Sequence, residues 1–159
     1  MIELKDKSPK ILVIGDLMID NYLWGKSNRI SPEAPVPIVQ IKNESLSLGG
    51  AGNVINNLNS LGAKVDVISV IGDCDNSKDL ITLLKDSNIS CEFLIIENGR
   101  KISKKTRVIA SQQQIIRYDF ESISEISSAI EKSVIDTYEE IIKKYSIVLL
   151  SDYGKGVLT

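Results

Sequence analysis

Ile11-Leu12-Val13-Ile14, closed by Gly15-Asp16, is a short unbroken apolar run. A strand with one wet face alternates polar and apolar residues. A continuous run belongs to a strand buried on both faces, as in a parallel sheet between helices. Two later stretches have the same build: Val65–Ile71 closes on Gly72-Asp73, and Ile147–Leu150 closes on Ser151-Asp152. Cys91–Ile96 reads as a further strand. Helical spacing separates these runs. Val54, Ile55, Leu58 and Leu61 line one helix face, with Gly62 as its stop. Ser77–Ser87 reads as a second helix. Ile123, Ile126, Ile130, Val134, Tyr138 and Ile141 step by three or four and predict a long amphipathic third one. Apolar strands alternating with helices imply an α/β fold, a doubly wound and mostly parallel sheet.

Some segments do not fit that layer. Arg29–Pro37 carries Pro32, Pro35 and Pro37, which excludes a helix or a central strand. Val36–Lys42 reads as an edge strand, and Leu48–Gly52 as a glycine-rich turn. Lys104–Ala110 and Gln114–Phe120 read as a hairpin about Ser111–Gln113. Together they predict a small β lid, with segments at about 20–45 and 93–120 inserted in one domain over residues 1–159. The last residues follow a strand where a helix is due, so the stretch reads as the N-terminal part of a larger domain.

The 159 residues include 19 basic and 21 acidic ones, no histidine and two cysteines. A net charge of -2 argues against a nucleic-acid partner. Without histidine there is no Ser-His-Asp triad, no Cys-His pair and no His-ligated zinc. Cys74 and Cys91 form no CxxC and read as reduced thiols. Residues 1–10 are polar and do not read as a leader, and no apolar run is long enough to span a bilayer. A cytoplasmic protein with no membrane partner is the expectation.

Chemistry is expected at the carboxyl ends of the strands, where parallel sheets bind ligands. Asp16 and Asp20 both follow the first strand, and Asp73 and Asp152 close two others. Carboxylates there accept bonds from sugar hydroxyls, act as bases, or merely cap a turn. A magnesium ion shared with a substrate phosphate stays open; no metal site formed by the chain alone is expected. Gly49-Gly50-Ala51-Gly52-Asn53 enters a helix. Glycines let backbone approach a ligand, and a helix start presents free N–H donors. Neither a P-loop nor a GxGxxG fingerprint is present. Residues 99–119 hold Arg100, Lys101, Lys104, Lys105, Arg107 and Arg117 against Asp119 alone. A positive ribbon on an acidic chain points to an anionic small ligand such as a sugar phosphate, or to solvated lysines.

Gly15–Asp20, Gly49–Asn53 and Leu61-Gly62-Ala63 resemble the N-terminal half of the ribokinase (PfkB) family of sugar kinases. Arg29–Pro37, Lys105–Val108, Gln113–Phe120 and Ser151–Gly156 resemble one branch of it, the heptose 7-phosphate kinases. The resemblance implies transfer of the ATP γ-phosphate to the anomeric hydroxyl of D-glycero-D-manno-heptose 7-phosphate, within ADP-heptose and lipopolysaccharide core synthesis. It implies that Asp16, Asp20, Gly49, Gly50 and Asn53 meet sugar hydroxyls. It places Lys105, Arg107 and Arg117 near the substrate or its phosphate. It implies a homodimer paired through the lid. ATP, Mg2+ and the catalytic base are expected to belong to the C-terminal half beyond Thr159, leaving this stretch alone inactive and without a firmly bound cofactor. The alternatives are another PfkB sugar or sugar-phosphate kinase, and a non-catalytic sugar-phosphate-binding or dimerisation module.

Overall fold

A computed structural model describes residues 9–159. The polar opening stretch lies almost wholly outside the described residues. Strand β1 (Lys10–Gly15) is followed by β2 (Leu17–Ile30), β3 (Pro37–Gly50), α1 (Ala51–Ser60), β4 (Lys64–Ile71), α2 (Asp75–Asp86) and β5 (Leu94–Ile96). Then come β6 (Ser103–Ala110), β7 (Gln113–Phe120), α3 (Ser128–Ile141), a 3-10 turn at Ile142–Lys144, and β8 (Ile147–Ser151).

The strands form two four-stranded sheets. The first, in the order β5-β4-β1-β8, is parallel throughout, with Val13 opposite Val67 and Leu149. Its central strand β1 is buried on both faces, as the unbroken run at Ile11 requires. Ile11 and Val13 pack with Ile55 of α1 and Leu80 and Leu84 of α2. Leu12 and Ile14 point the other way, onto Val134 and Ile141 of α3. Burying one such side chain contributes roughly 1.5–3 kcal/mol. The sheet is therefore wound on both sides, as expected.

The second sheet, in the order β3-β2-β6-β7, is the lid. It is larger than the sequence suggests. β2 and β3 are 14-residue antiparallel partners, with register shifts at Trp24/Gly25 and Ser27/Arg29. β2 also pairs with β6 in parallel, Asp20 beside Lys105. The lid strands therefore occupy residues 17–50 and 103–120. Leu94–Ile96 lies in the main sheet, which corrects the lid segments expected at about 20–45 and 93–120.

Other boundaries also move, each for a local reason. No turn occupies Leu48–Gly52, because β3 runs through Gly50 straight into α1. The strand expected from Cys91 starts at Leu94, because Leu94 N–H bonds back to the Cys91 carbonyl in a turn. The third helix begins at Ser128 rather than Ile123. Ser127 caps it with extended backbone and donates its N–H to Glu97. Ile126 is buried from the loop before it, and Ile123 is exposed. β8 lies at a sheet edge, with Ile147 and Leu150 exposed rather than buried. Among the described residues no helix is long and apolar enough to cross a membrane.

Candidate functional site

The site grows from the junction where β1 passes into the lid. Asp16 is the single residue between β1 and β2, and it is 1% exposed. Its carboxylate accepts backbone N–H bonds from Tyr153 at 2.8 Å, Lys155 at 3.2 Å and Val157 at 3.2 Å. These donors come from the loop that follows β8. Asp16, expected to meet a sugar hydroxyl, is thereby held by donors of its own chain. A buried carboxylate needs such donors, since an unpaired one costs several kcal/mol.

Asp20 stands differently. Four residues along β2, it lies beside Ser47 of β3 and Lys105 of β6. Arg107 donates to its Oδ1 at 2.5 Å and lies 5.3 Å from the Tyr22 ring. Its Oδ2 points at Gly49. A Cβ on that glycine would come within 2.5 Å of the carboxylate, so only glycine leaves Asp20 in place. Oδ2 has no hydrogen-bond donor among the described residues. Gly50 has φ 57° and caps α1, and Ala51 N–H bonds the Asp16 carbonyl at 2.9 Å. That φ favours glycine. No side chain caps α1, and its first turn holds no acid. Asn53 sits exposed in that turn, among N–H groups with no helical partner.

Strand alternation collects the rest on one face of the lid. Lys105 donates to Asp119 at 3.1 Å and Glu121 at 3.5 Å. Arg117 grips Asp119 with two bonds, at 2.8 and 2.6 Å. Lys155, from the loop after β8, donates to Glu121 at 2.9 Å. The bonds from Arg117, opposed by burial and joined by Lys105, hold the Asp119 carboxyl well below the usual carboxylate range. Burial pushes Glu121 up, but Lys155, Lys105 and Ser103 bring it below its ordinary value.

Asp20, Gly49, Lys105, Arg107 and Arg117 are thus brought onto one polar surface. Gly50 and Asn53 border it, and Asp16 lies behind it. The positive ribbon is corrected in one respect. Five of its six cations are paired: Arg100 with Glu97, Lys104 with Asp79, and Lys105, Arg107 and Arg117 as above. Lys101 lies over the Phe120 ring. Asp20 and Asp79 come from far along the chain, Glu97 and Glu121 lie just outside the 99–119 window, and Asp119 lies inside it. Sequence reading missed Asp119, Glu121 and Lys155 as parts of the surface. The signal for Lys155 was its place between Gly154 and Gly156 at a strand's carboxyl end. Among the described residues no group of three or more Asp, Glu, Cys or His side chains is arranged to hold a metal.

The family profile "pfkB family carbohydrate kinase" matches residues 8–153. The chain is 63% identical over 153 residues to the bifunctional protein HldE of Aliarcobacter butzleri, covering 96% of this chain and 32% of that protein. It is 54% identical over 156 residues to the bifunctional protein HldE of Sulfurimonas denitrificans, covering 98% and 33%. The chain therefore spans about a third of the length of these curated relatives. Among solved structures it is similar to Arabidopsis thaliana ribokinase complexed with ribose and ATP. The TM-score is 0.60 at 16% identity, over 91% of this chain and 45% of that one. A carbohydrate kinase from Agrobacterium tumefaciens gives a TM-score of 0.61 at 17% identity, over 89% and 45%. At such identities the likeness is one of fold.

Proposed function

We propose, from the premise that this chain belongs to the pfkB family of carbohydrate kinases, that it is the sugar-binding part of a sugar-phosphate kinase. The acceptor is D-glycero-D-manno-heptose 7-phosphate, and the product of the whole protein is the 1,7-bisphosphate. The observation that carries this reading is Asp20. Its one carboxylate oxygen is fixed by Arg107, and the other is left open beside Gly49. A carboxylate oriented in this way accepts a hydrogen bond from a sugar hydroxyl, and such charge-assisted bonds are the strong ones. Gly50 and Asn53 add backbone and amide donors at the start of α1. Lys105, Arg107, Arg117 and Lys155 face Asp20, Asp119 and Glu121, so four cations meet three carboxylates. The excess positive charge suits an anionic substituent on the sugar. The heptose assignment rests on the likeness of Arg29–Pro37 and Ser151–Gly156 to heptose 7-phosphate kinases.

ATP and Mg2+ belong to this proposal as groups of the whole protein, which supply the phosphoryl group and neutralise its charge. We assign them to the part of the curated relatives that this chain does not cover. The unit proposed is one domain with the lid inserted in it.

We further assign the lid as the dimer contact. Its other face carries Ile116, Tyr118 and Phe120, which are 54%, 52% and 45% exposed. A two-fold dimer buries such a patch twice. The function is tested in the full-length protein by ADP release with heptose 7-phosphate, ribose, fructose and fructose 6-phosphate. Preference for heptose 7-phosphate supports the reading; preference for an unphosphorylated sugar overturns it.

A further inference from the structure

Lys155 belongs to the main domain, yet its side chain ends among the charges of the lid. Its amine donates to Glu121 at 2.9 Å, and the side chain is 18% exposed. Glu121 also accepts from Lys105, the register neighbour of Asp20. The Lys155 amine therefore stands one carboxylate beyond Lys105, on the same surface as Asp20. Its backbone is held from two sides. The N–H bonds Asp16, and the carbonyl accepts from the Arg100 guanidinium. Arg100 is itself buried, bonding Glu97 at 3.0 Å and the Ser124 carbonyl at 3.3 Å. A lysine serving only as a surface ion pair needs no such support, because exposed pairs contribute little. Two buried charged groups fixing one lysine backbone is the arrangement of a side chain whose position matters.

We propose that Lys155 is a specificity-determining residue that binds the phosphate of the sugar substrate, with Glu121 holding its amine in position until the phosphate arrives. This rests on the reading of the substrate as a phosphorylated sugar. The lid's own cations are engaged, Arg107 with Asp20 and Arg117 twice with Asp119. An ammonium group has three donors, and only one is used by Glu121. A phosphate can take the others without Glu121 being expelled. A sugar hydroxyl at Asp20 and a phosphate at Lys155 would then engage the lid and the main sheet with one molecule.

The test uses the full-length protein and calorimetric binding of heptose 7-phosphate and of unphosphorylated heptose. Lys155→Met is expected to weaken the phosphorylated sugar on the order of tenfold to a hundredfold and to leave the unphosphorylated one unchanged. Lys155→Arg should recover most of that loss. Glu121→Gln should tighten the phosphorylated sugar, because the amide still accepts from the amine but no longer sets a negative charge beside the phosphate. Equal weakening of both sugars by Lys155→Met, or weakening of the phosphorylated sugar by Glu121→Gln, would overturn the proposal and leave Lys155 an ion pair that ties the lid. If Lys155→Met does not fold, the sign of the Glu121→Gln effect decides alone. A wild-type protein that binds only unphosphorylated sugars would instead remove the reading on which the proposal rests.

Discussion

Asp16 and Asp20 stand four residues apart at the end of one strand, and their environments give them opposite roles. Asp16 is buried with three backbone donors from the loop at Tyr153–Val157. Asp20 keeps an open oxygen over Gly49. Asp16→Ala should therefore cost about 2–4 kcal/mol of stability, since three backbone N–H groups, one of them buried, lose their acceptor. Chemical denaturation of the full-length protein checks this; a loss under about 1 kcal/mol would contradict it. Asp20→Ala should leave the denaturation midpoint nearly unchanged and lower kcat/KM for the sugar on the order of a hundredfold or more. Near-normal kcat/KM would remove Asp20 from the site. The sequence could not separate the two carboxylates. Each is an aspartate at a strand end, and the difference comes from a loop some 140 residues away.

At the scale of elements, the lid hairpin carries two testable features. Ser111 and Gln112 join β6 to β7, with φ 51° and 64°. Two left-handed residues in a two-residue loop make the turn type that prefers Asn-Gly. Ser111→Asn combined with Gln112→Gly should stabilise the protein by about 1 kcal/mol, read as a raised Tm. The second feature is acid sensitivity. Asp119, Glu121 and Glu97 all titrate below their ordinary values in the folded state. A depressed carboxylate contributes stability above its unfolded pKa and loses it as pH falls through the folded one. The urea midpoint should drop as pH falls below about 4. Asp119→Asn should flatten that drop, and an unchanged slope would contradict the assigned pairs.

Much of the main sheet was legible because its signal is local. Ile11–Ile14 and Val65–Ile71 announce buried strands by composition alone, and Val54, Ile55 and Leu58 announce α1 by their spacing, although Leu61, read on the same face, lies exposed past its end. The lid was harder. β2 carries Gly25 and two register shifts, and its alternation fades with exposure toward Ile30. The step of three from Ile123 to Ile126 imitates a helix, but Glu97 holds the cap residue Ser127 and the helix starts at Ser128. The charge ribbon was read from one strip of sequence, whereas two of its neutralising carboxylates, Asp20 and Asp79, arrive through tertiary contacts and a third, Glu97, stands just before the strip.

At the scale of the whole molecule, the account joins a two-sided α/β sheet, a lid with one polar and one apolar face, and a loop that connects them. The apolar face makes a quaternary prediction. Light scattering of the full-length protein should give a dimer at micromolar concentration, and Tyr118→Asp with Phe120→Asp should give a monomer. A wild-type monomer, or a dimer indifferent to both changes, would contradict assembly through the lid. The central claim is that the polar face of the lid receives a phosphorylated heptose for phosphoryl transfer. Its most direct test is phosphorus NMR of full-length protein incubated with ATP, Mg2+ and D-glycero-D-manno-heptose 7-phosphate. The account predicts a second sugar phosphate resonance coupled to the anomeric proton, formed as ADP appears. ADP without a second phosphate on the heptose, or no reaction with heptose 7-phosphate while an unphosphorylated sugar is consumed, would contradict it.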